Sequence, residues 1–267
     1  MRQYLSFFRI RFLAGLQYRA AALAGIVTQI AWGGMTILMF RAFYQSGQNS
    51  FPMPFQALSS YIWLQQAFLA MLMTWFFDGE IIDSITSGGI AYELCRPCDL
   101  YTMWFVKNMA IRLSRTALRC VPVLLVAALL PAPFGLRLPS DLRAAALFPI
   151  SLSLGFLVLI ALTMLIYISV FHTLSSAGVL TMASAVMEFF AGGIIPIPFF
   201  PEWLQPVVSA LPFGAIQNTP FLIYTGYLSM TETLRGIGLQ AVWLGVLLLL
   251  GRALMKRALK KVVAQGG

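Results

Sequence analysis

The sequence predicts an all-α integral membrane protein, a single domain of six transmembrane helices over residues 1–267. Three observations carry that prediction. Of the 267 residues, 60% are hydrophobic and 10% charged, against about 45–50% and about 25% in a soluble globular domain. The apolar residues fall in runs close to the roughly 20 needed to cross a bilayer as a helix, and mean hydropathy is +0.83. The basic residues, 18 Lys and Arg against 9 Asp and Glu for a net charge of +9, sit beside those runs. That placement suits loops facing anionic lipid better than a nucleic-acid surface. A disordered chain and a solvated enzyme are both poor fits to these proportions. Three cysteines, an odd number at low density, imply no disulfide framework.

Met1 to Arg19 comes first. Leu5, Phe8, Phe12 and Leu16 recur at three- and four-residue spacing and make one helical stripe, with Arg9 close to it and Arg11 well away. This reads as a helix lying in the cytoplasmic interface, its arginines snorkelling, rather than as a signal peptide. Six spans follow: Ala20–Phe43, Ser59–Phe77, Ile111–Leu130, Arg143–Phe171, Leu174–Ile195 and Thr233–Ala253. The third carries Arg112, Arg115 and Arg119 in its first turns, and the fourth is long enough to tilt. His172 and Thr173 leave almost nothing between the fourth and fifth, which predicts a tight hairpin.

Orientation follows from the basic residues. With both termini cytoplasmic, the inner side holds Arg2, Arg9, Arg11, Arg19, Arg96, Lys107, Arg112, Arg115, Arg119, Arg252, Lys256, Arg257, Lys260 and Lys261. The outer side holds only Arg41, Arg137, Arg143 and Arg235. The opposite orientation would reverse that ratio.

Two connections are long enough to carry function. In the cytoplasmic one, within 78–101, Asp78-Gly-Glu80-Ile81-Ile82-Asp83-Ser-Ile85-Thr-Ser-Gly88-Gly89 predicts a short amphipathic helix. Its isoleucines share a side, acidic and hydroxyl residues occupy the rest, and the two glycines end it. Glu93, Arg96 and Pro97 follow. A rigid cytoplasmic helix between two spans is placed to pass motion from a soluble partner into the membrane. In the external segment, 196–231, Gly192 and Gly193 and then Pro196 and Pro198 stop the fifth helix near the outer face. Apolar and turn residues then alternate through Trp203 to Leu211-Pro212-Phe213. This predicts short broken helices dipping into the outer leaflet, which at that depth must rest against protein or a wet cavity.

The chemistry-bearing residues form no enzyme. His172 is the only histidine, no nucleophile elbow is present, and none of the four lysines follows a glycine, so no P-loop occurs. Cys95-Arg-Pro-Cys98 matches C-x-x-C, but a zinc site would need two more ligands, and no metal is expected. Glu188 is the one acidic residue well inside a predicted span, either touching substrate or a gate, or making a packing hydrogen bond.

Taken together, these segments resemble the permease subunit of a bacterial type-2 ATP-binding-cassette exporter, over essentially the full length. The most specific match is Gly88-Gly-Ile-Ala-Tyr92-Glu-Leu-Cys-Arg96-Pro97, and Pro201-Glu-Trp203-Leu-Gln-Pro206 with Leu211-Pro212 resembles the external hairpin. The resemblance implies an N-terminal elbow helix (1–19), a cytoplasmic coupling helix and broken external helices before the last span. It implies a second permease, related or identical, and two cytoplasmic ATPase subunits that hold ATP and Mg. This chain would hold no cofactor, bind no nucleic acid, and reside in the bacterial inner membrane among its lipids. By the same resemblance Asp78 to Gly89, with Glu93, Arg96 and Pro97, would dock on the ATPase. Gln65, Gln66, Phe68, Met71 and Trp75 would face Met182, Met187, Glu188 and Phe189 across a substrate path. Gly192, Gly193, Pro196, Pro198, Trp203 and Pro212 would form an external gate. The expected activity is export of an amphipathic or hydrophobic drug, lipid or peptide-like substrate. A non-transporting scaffold subunit, an importer-type coupling subunit and a membrane enzyme are the alternatives; co-purification with an ATPase separates the first, and a separate substrate-binding protein marks the second.

Overall fold

The computed structural model describes residues 2–47, 51–139, 141–173 and 175–260. They form helices joined by turns: α1 Arg2–Gly15, α2 Arg19–Gln45, α3 Phe55–Ala67, α4 Leu69–Leu72, α5 Gly79–Thr86, α6 Ile90–Leu94 and α7 Leu100–Leu129. There follow α8 Leu142–Val170, α9 Ser176–Phe190, a 3-10 turn Ile197–Phe199, α10 Gln205–Ala210, α11 Asn218–Thr225 and α12 Met230–Leu259. Among the described residues, α2, α8 and α12 are long and apolar enough to cross a membrane.

Short polar side chains start α7, α8, α9 and α12. Asp99 accepts from the Thr102 amide, Asp141 from Ala144 and Ser175 from Gly178, and Ser229 with Glu232 forms a reciprocal capping box at α12. The core gathers around α8, which packs against α12, α11, α7, α9 and α5. Val158, Leu159, Ile160 and Ala161 are fully buried on successive positions of α8. A helix apolar all round belongs in the middle of a bundle. Gln240 of α12 ties three segments together there, donating to the Ser151 and Ala215 carbonyls at 3.0 and 2.8 Å and accepting from the Ser151 hydroxyl at 2.9 Å.

Three of the departures from the predicted bounds have a clear physical reason. Ser59–Phe77 is not one helix: α3 stops at Ala67, α4 adds one turn to Leu72, and Met73 is extended. The carbonyls freed there are taken by Arg112, as described below. The third predicted span begins eleven residues earlier, because Asp99 caps a helix that carries Lys107 and Arg112 inward to protein partners rather than out to water. The fifth ends at Phe190 rather than Ile195, followed by Gly192 at φ 78, a left-handed conformation that glycine adopts without penalty.

On α1, the apolar stripe read from the sequence is half-exposed, with Leu5 70% accessible. The face turned to α7 is instead Tyr4, Phe7 and Arg11, the first two packing on the core.

Candidate functional site

Two clusters join distant parts of the chain. The first surrounds α5. Asp78 is its N-cap and accepts from the Glu80 amide at 2.9 Å, and Gly88 at φ 76 follows its end, as the two-glycine stop predicts. Ile81 is buried while Ile82 and Ile85 pack on the core, so the apolar side is spent within the chain. Glu80, Asp83, Thr86 and Ser87 remain exposed on the other side.

Lys107 of α7 anchors this helix. Its Nζ lies 2.8 Å from Asp78 Oδ2 and 2.6 Å from Glu80 Oε2, and Glu80 is met from the other side by Arg11 of α1 at 3.1 Å. The hydrogen bond from Lys107, then the charges of Lys107 and Arg11, hold the Glu80 carboxyl below its ordinary value. The Asp78 amide donates to the Tyr167 hydroxyl of α8 at 2.7 Å, which donates to Asn108 at 3.2 Å. Within α6, Glu93 accepts from the Trp104 indole at 2.7 Å, and beyond it the Asp99 amide donates to Tyr4 of α1 at 2.8 Å. α5 is thus fixed to α1, α7 and α8 at once.

Arg112 lies one and a half turns along α7 from Lys107 and is fully buried. Its guanidinium donates to the carbonyls of Met73 at 2.7 Å, Phe76 at 2.9 Å and Met71 at 3.3 Å. These are groups that a broken helix leaves unpaired, and a cation at a helix C-terminus also suits the helix dipole. Arg112 and Arg115 both stack on the Phe76 ring, at 5.1 and 4.2 Å.

The second cluster is the turn after α9. The Gln65 amide donates to the Gly193 carbonyl, and the Tyr61 hydroxyl lies 3.2 Å from Asn218 Oδ1 and 3.4 Å from the Gly192 carbonyl. Asn218 Oδ1 also accepts from the Ile197 amide at 3.2 Å. Glu188 accepts from the Thr74 hydroxyl at 2.6 Å. This turn meets α3 at Tyr61 and Gln65, the latter about 15 Å along the helix from Phe55. It therefore sits well inside the bundle rather than at its outer face, and α11 carries the chain back out along α3 and α8.

The sequence-predicted residues divide accordingly. Asp78, Glu80, Ile81, Ile82, Ile85 and Glu93 meet the first cluster, while Asp83, Arg96 and Pro97 are exposed. Gln65, Glu188, Gly192 and Gly193 meet in the second. Pro196, Pro198 and Pro212 are buried near it, and Trp203 is 73% exposed. Of the remaining path candidates, Gln66, Met71 and Met187 are buried within the chain, Phe68 is half-buried against Phe148 and Phe221, and Trp75, Met182 and Phe189 are exposed. Residues that sequence reasoning missed hold both clusters: Tyr61, Thr74, Asn108, Tyr167 and Asn218, with Lys107 and Arg112 read there only as surface charge. A buried-range polar residue within an apolar run was the available signal.

A search of curated proteins finds no match to this chain. The family described as ABC-2 family transporter protein matches residues 23–266, a range that takes in every helix from α3 to α12 and both clusters apart from Tyr4 and Arg11 of α1. The chain therefore belongs to the ABC-2 transporter family, as the membrane-embedded permease component of an ATP-binding-cassette transporter.

Proposed function

We propose that this permease exports an amphipathic or hydrophobic substrate, driven by ATP hydrolysis on two separate cytoplasmic ATPase subunits, and that α5 is the helix they grip. The observation that carries this reading is the division of α5 into two sides. One side is locked to the bundle by Ile81 and by Lys107, Arg11 and Tyr167 acting on Asp78 and Glu80, and the other presents Asp83, Thr86 and Ser87 to solvent. A displacement applied to the free side passes into α7 through the charge-assisted Lys107 contacts and into α8 through the hydrogen bond from the Asp78 amide to Tyr167.

In this reading α2, the α3–α4 pair, α7, α8, α9 and α12 are the six crossings, and α1 lies in the inner interface of a bacterial cytoplasmic membrane with both termini inside. A second permease, related but distinct, covers the exposed apolar residues of α2 and α9, among them Trp32, Met35, Met182 and Phe189. Trp75, Met182 and Phe189 are then available to substrate between the two permeases. Gln66, Met71 and Met187 support that wall from within. The turn at Gly192 and Gly193 opens on the external side when the pair separates. No bond is made or broken on this chain; ATP and Mg belong to the ATPase.

Co-expression with candidate ATP-binding-cassette ATPase subunits tests the reading. Asp83→Arg is expected to abolish ATPase co-purification and substrate-stimulated hydrolysis in proteoliposomes while leaving the thermal unfolding midpoint in detergent unchanged. Retained association and coupling in that variant would overturn the assignment of α5.

A further inference from the structure

A cavity of about 760 Å³ lies at the α5 end of the bundle, between α1, α2 and α7, within the roughly 300–1,000 Å³ range of ligand sites. Arg11, Arg115 and Arg119 line it together with Asp78, Glu80 and Asp83. Lys107 and Arg11 already neutralise Asp78 and Glu80. Arg115 and Arg119 have no carboxylate partner among the described residues. Their four-residue spacing places both on one face of α7. Arg115 rests on the Phe76 ring, and Arg119 gives one Nη to the Ala21 carbonyl at 3.2 Å. Arg119 Nε is buried with no hydrogen-bond partner, and an unpaired buried donor on a cation is costly. Gly25 of α2 lies so close that a Cβ there would come 2.5 Å from Arg119 Cζ, so the backbone of α2 holds the guanidinium in place.

Two adjacent arginine forks, free of carboxylates and facing a headgroup-sized cavity, match the oxygens of a phosphate. We propose that Arg115 and Arg119 bind a phosphate-bearing anion in this cavity. The phosphate belongs either to the headgroup of an anionic phospholipid or to a free phosphate from solution. Leu23 and Val27, exposed on the adjoining turns of α2, offer acyl chains a surface beside the site. Asp83, exposed and without a cationic partner among the described residues, keeps the anion at the Arg115–Arg119 end.

Native mass spectrometry of the full chain in neutral detergent, titrated with phosphatidylglycerol, phosphatidylcholine or inorganic phosphate, tests this. Wild type is expected to retain phosphatidylglycerol, or inorganic phosphate, in preference to phosphatidylcholine. The double variant R115Q/R119Q should weaken that binding by about tenfold or more. R115K/R119K, which keeps both charges but not the forks, should recover only part of it, and R143Q at the opposite end of the bundle should leave it unchanged. Preference for phosphatidylglycerol that inorganic phosphate does not compete away identifies the lipid as source, whereas saturable competition identifies free phosphate. Equal retention in wild type and R115Q/R119Q, or equal retention of phosphatidylcholine, overturns the proposal. If R115Q/R119Q fails to fold, as read from its melting curve, R115Q alone and the lysine pair carry the comparison.

Discussion

The turn beneath α5 and the turn after α9 solve the same problem with different chemistry. Both interrupt a helix and must satisfy freed backbone groups inside the bundle. At α5 the chain uses charge: Arg112 on three carbonyls, and Lys107 between Asp78 and Glu80. After α9 it uses mainly neutral groups, Gln65, Tyr61 and Asn218, with Glu188 on a threonine hydroxyl. The difference is one of strength as well as chemistry, because charge-assisted hydrogen bonds are roughly twice as strong as neutral ones. It also separates two mechanical characters, a braced joint at α5 and a lighter latch after α9.

Four measurements break or sharpen that contrast. The largest effect should come from Lys107→Met, which strands the buried Asp78 carboxylate and is expected to cost about 3–5 kcal/mol. Adding Asp78→Asn should return part of the loss, measurable from unfolding midpoints in mixed micelles. Arg112→Leu should cost about 3 kcal/mol by leaving carbonyls unpaired, with new hydrogen exchange in residues 71–78. Asn218→Ala removes one acceptor shared by Tyr61 and Ile197 and should cost about 2 kcal/mol. If that variant proves as damaging as Lys107→Met, the latch is no lighter than the brace. The smallest effect concerns Glu80, whose carboxyl is held below its ordinary 4.5. A lowered folded value means that its contribution is complete above pH 4.5 and is lost as pH falls through the lower folded value. Glu80 is 66% exposed, so the loss is small; Arg11→Gln should lower the melting midpoint slightly at neutral pH and flatten its acid-side slope, so that the two proteins converge below the folded value.

What could be read from the sequence was local. Asp78 and Gly88 mark α5 because a cap and a left-handed stop depend on neighbours two to four residues away. The apolar runs marked α2, α8 and α12 for the same reason. The family resemblance rested on the same stretches, and the match over residues 23–266 agrees with it. The partners of those elements were not legible. Lys107 meets Glu80 across 27 positions and Thr74 meets Glu188 across 114, and no spacing rule connects them. Arg112 was the hardest to foresee, because its acceptors are backbone carbonyls that exist only where α4 gives way to extended chain. Read in the first turns of the third span as a charge of the inner side, Arg112 is in the fold fully buried. The depth of the Gly192 turn was equally hidden, since glycine and proline announce where a helix stops but not what lies beside the stop.

The anchoring of α5 also sets its tempo. A short surface helix on free hinges would fluctuate within nanoseconds and dissipate any push it received. Fastened to α1, α7 and α8, α5 moves only when a thirty-residue rod moves with it. Its excursions are then expected in the microsecond-to-millisecond range of collective helix shifts, which relaxation-dispersion measurements would read.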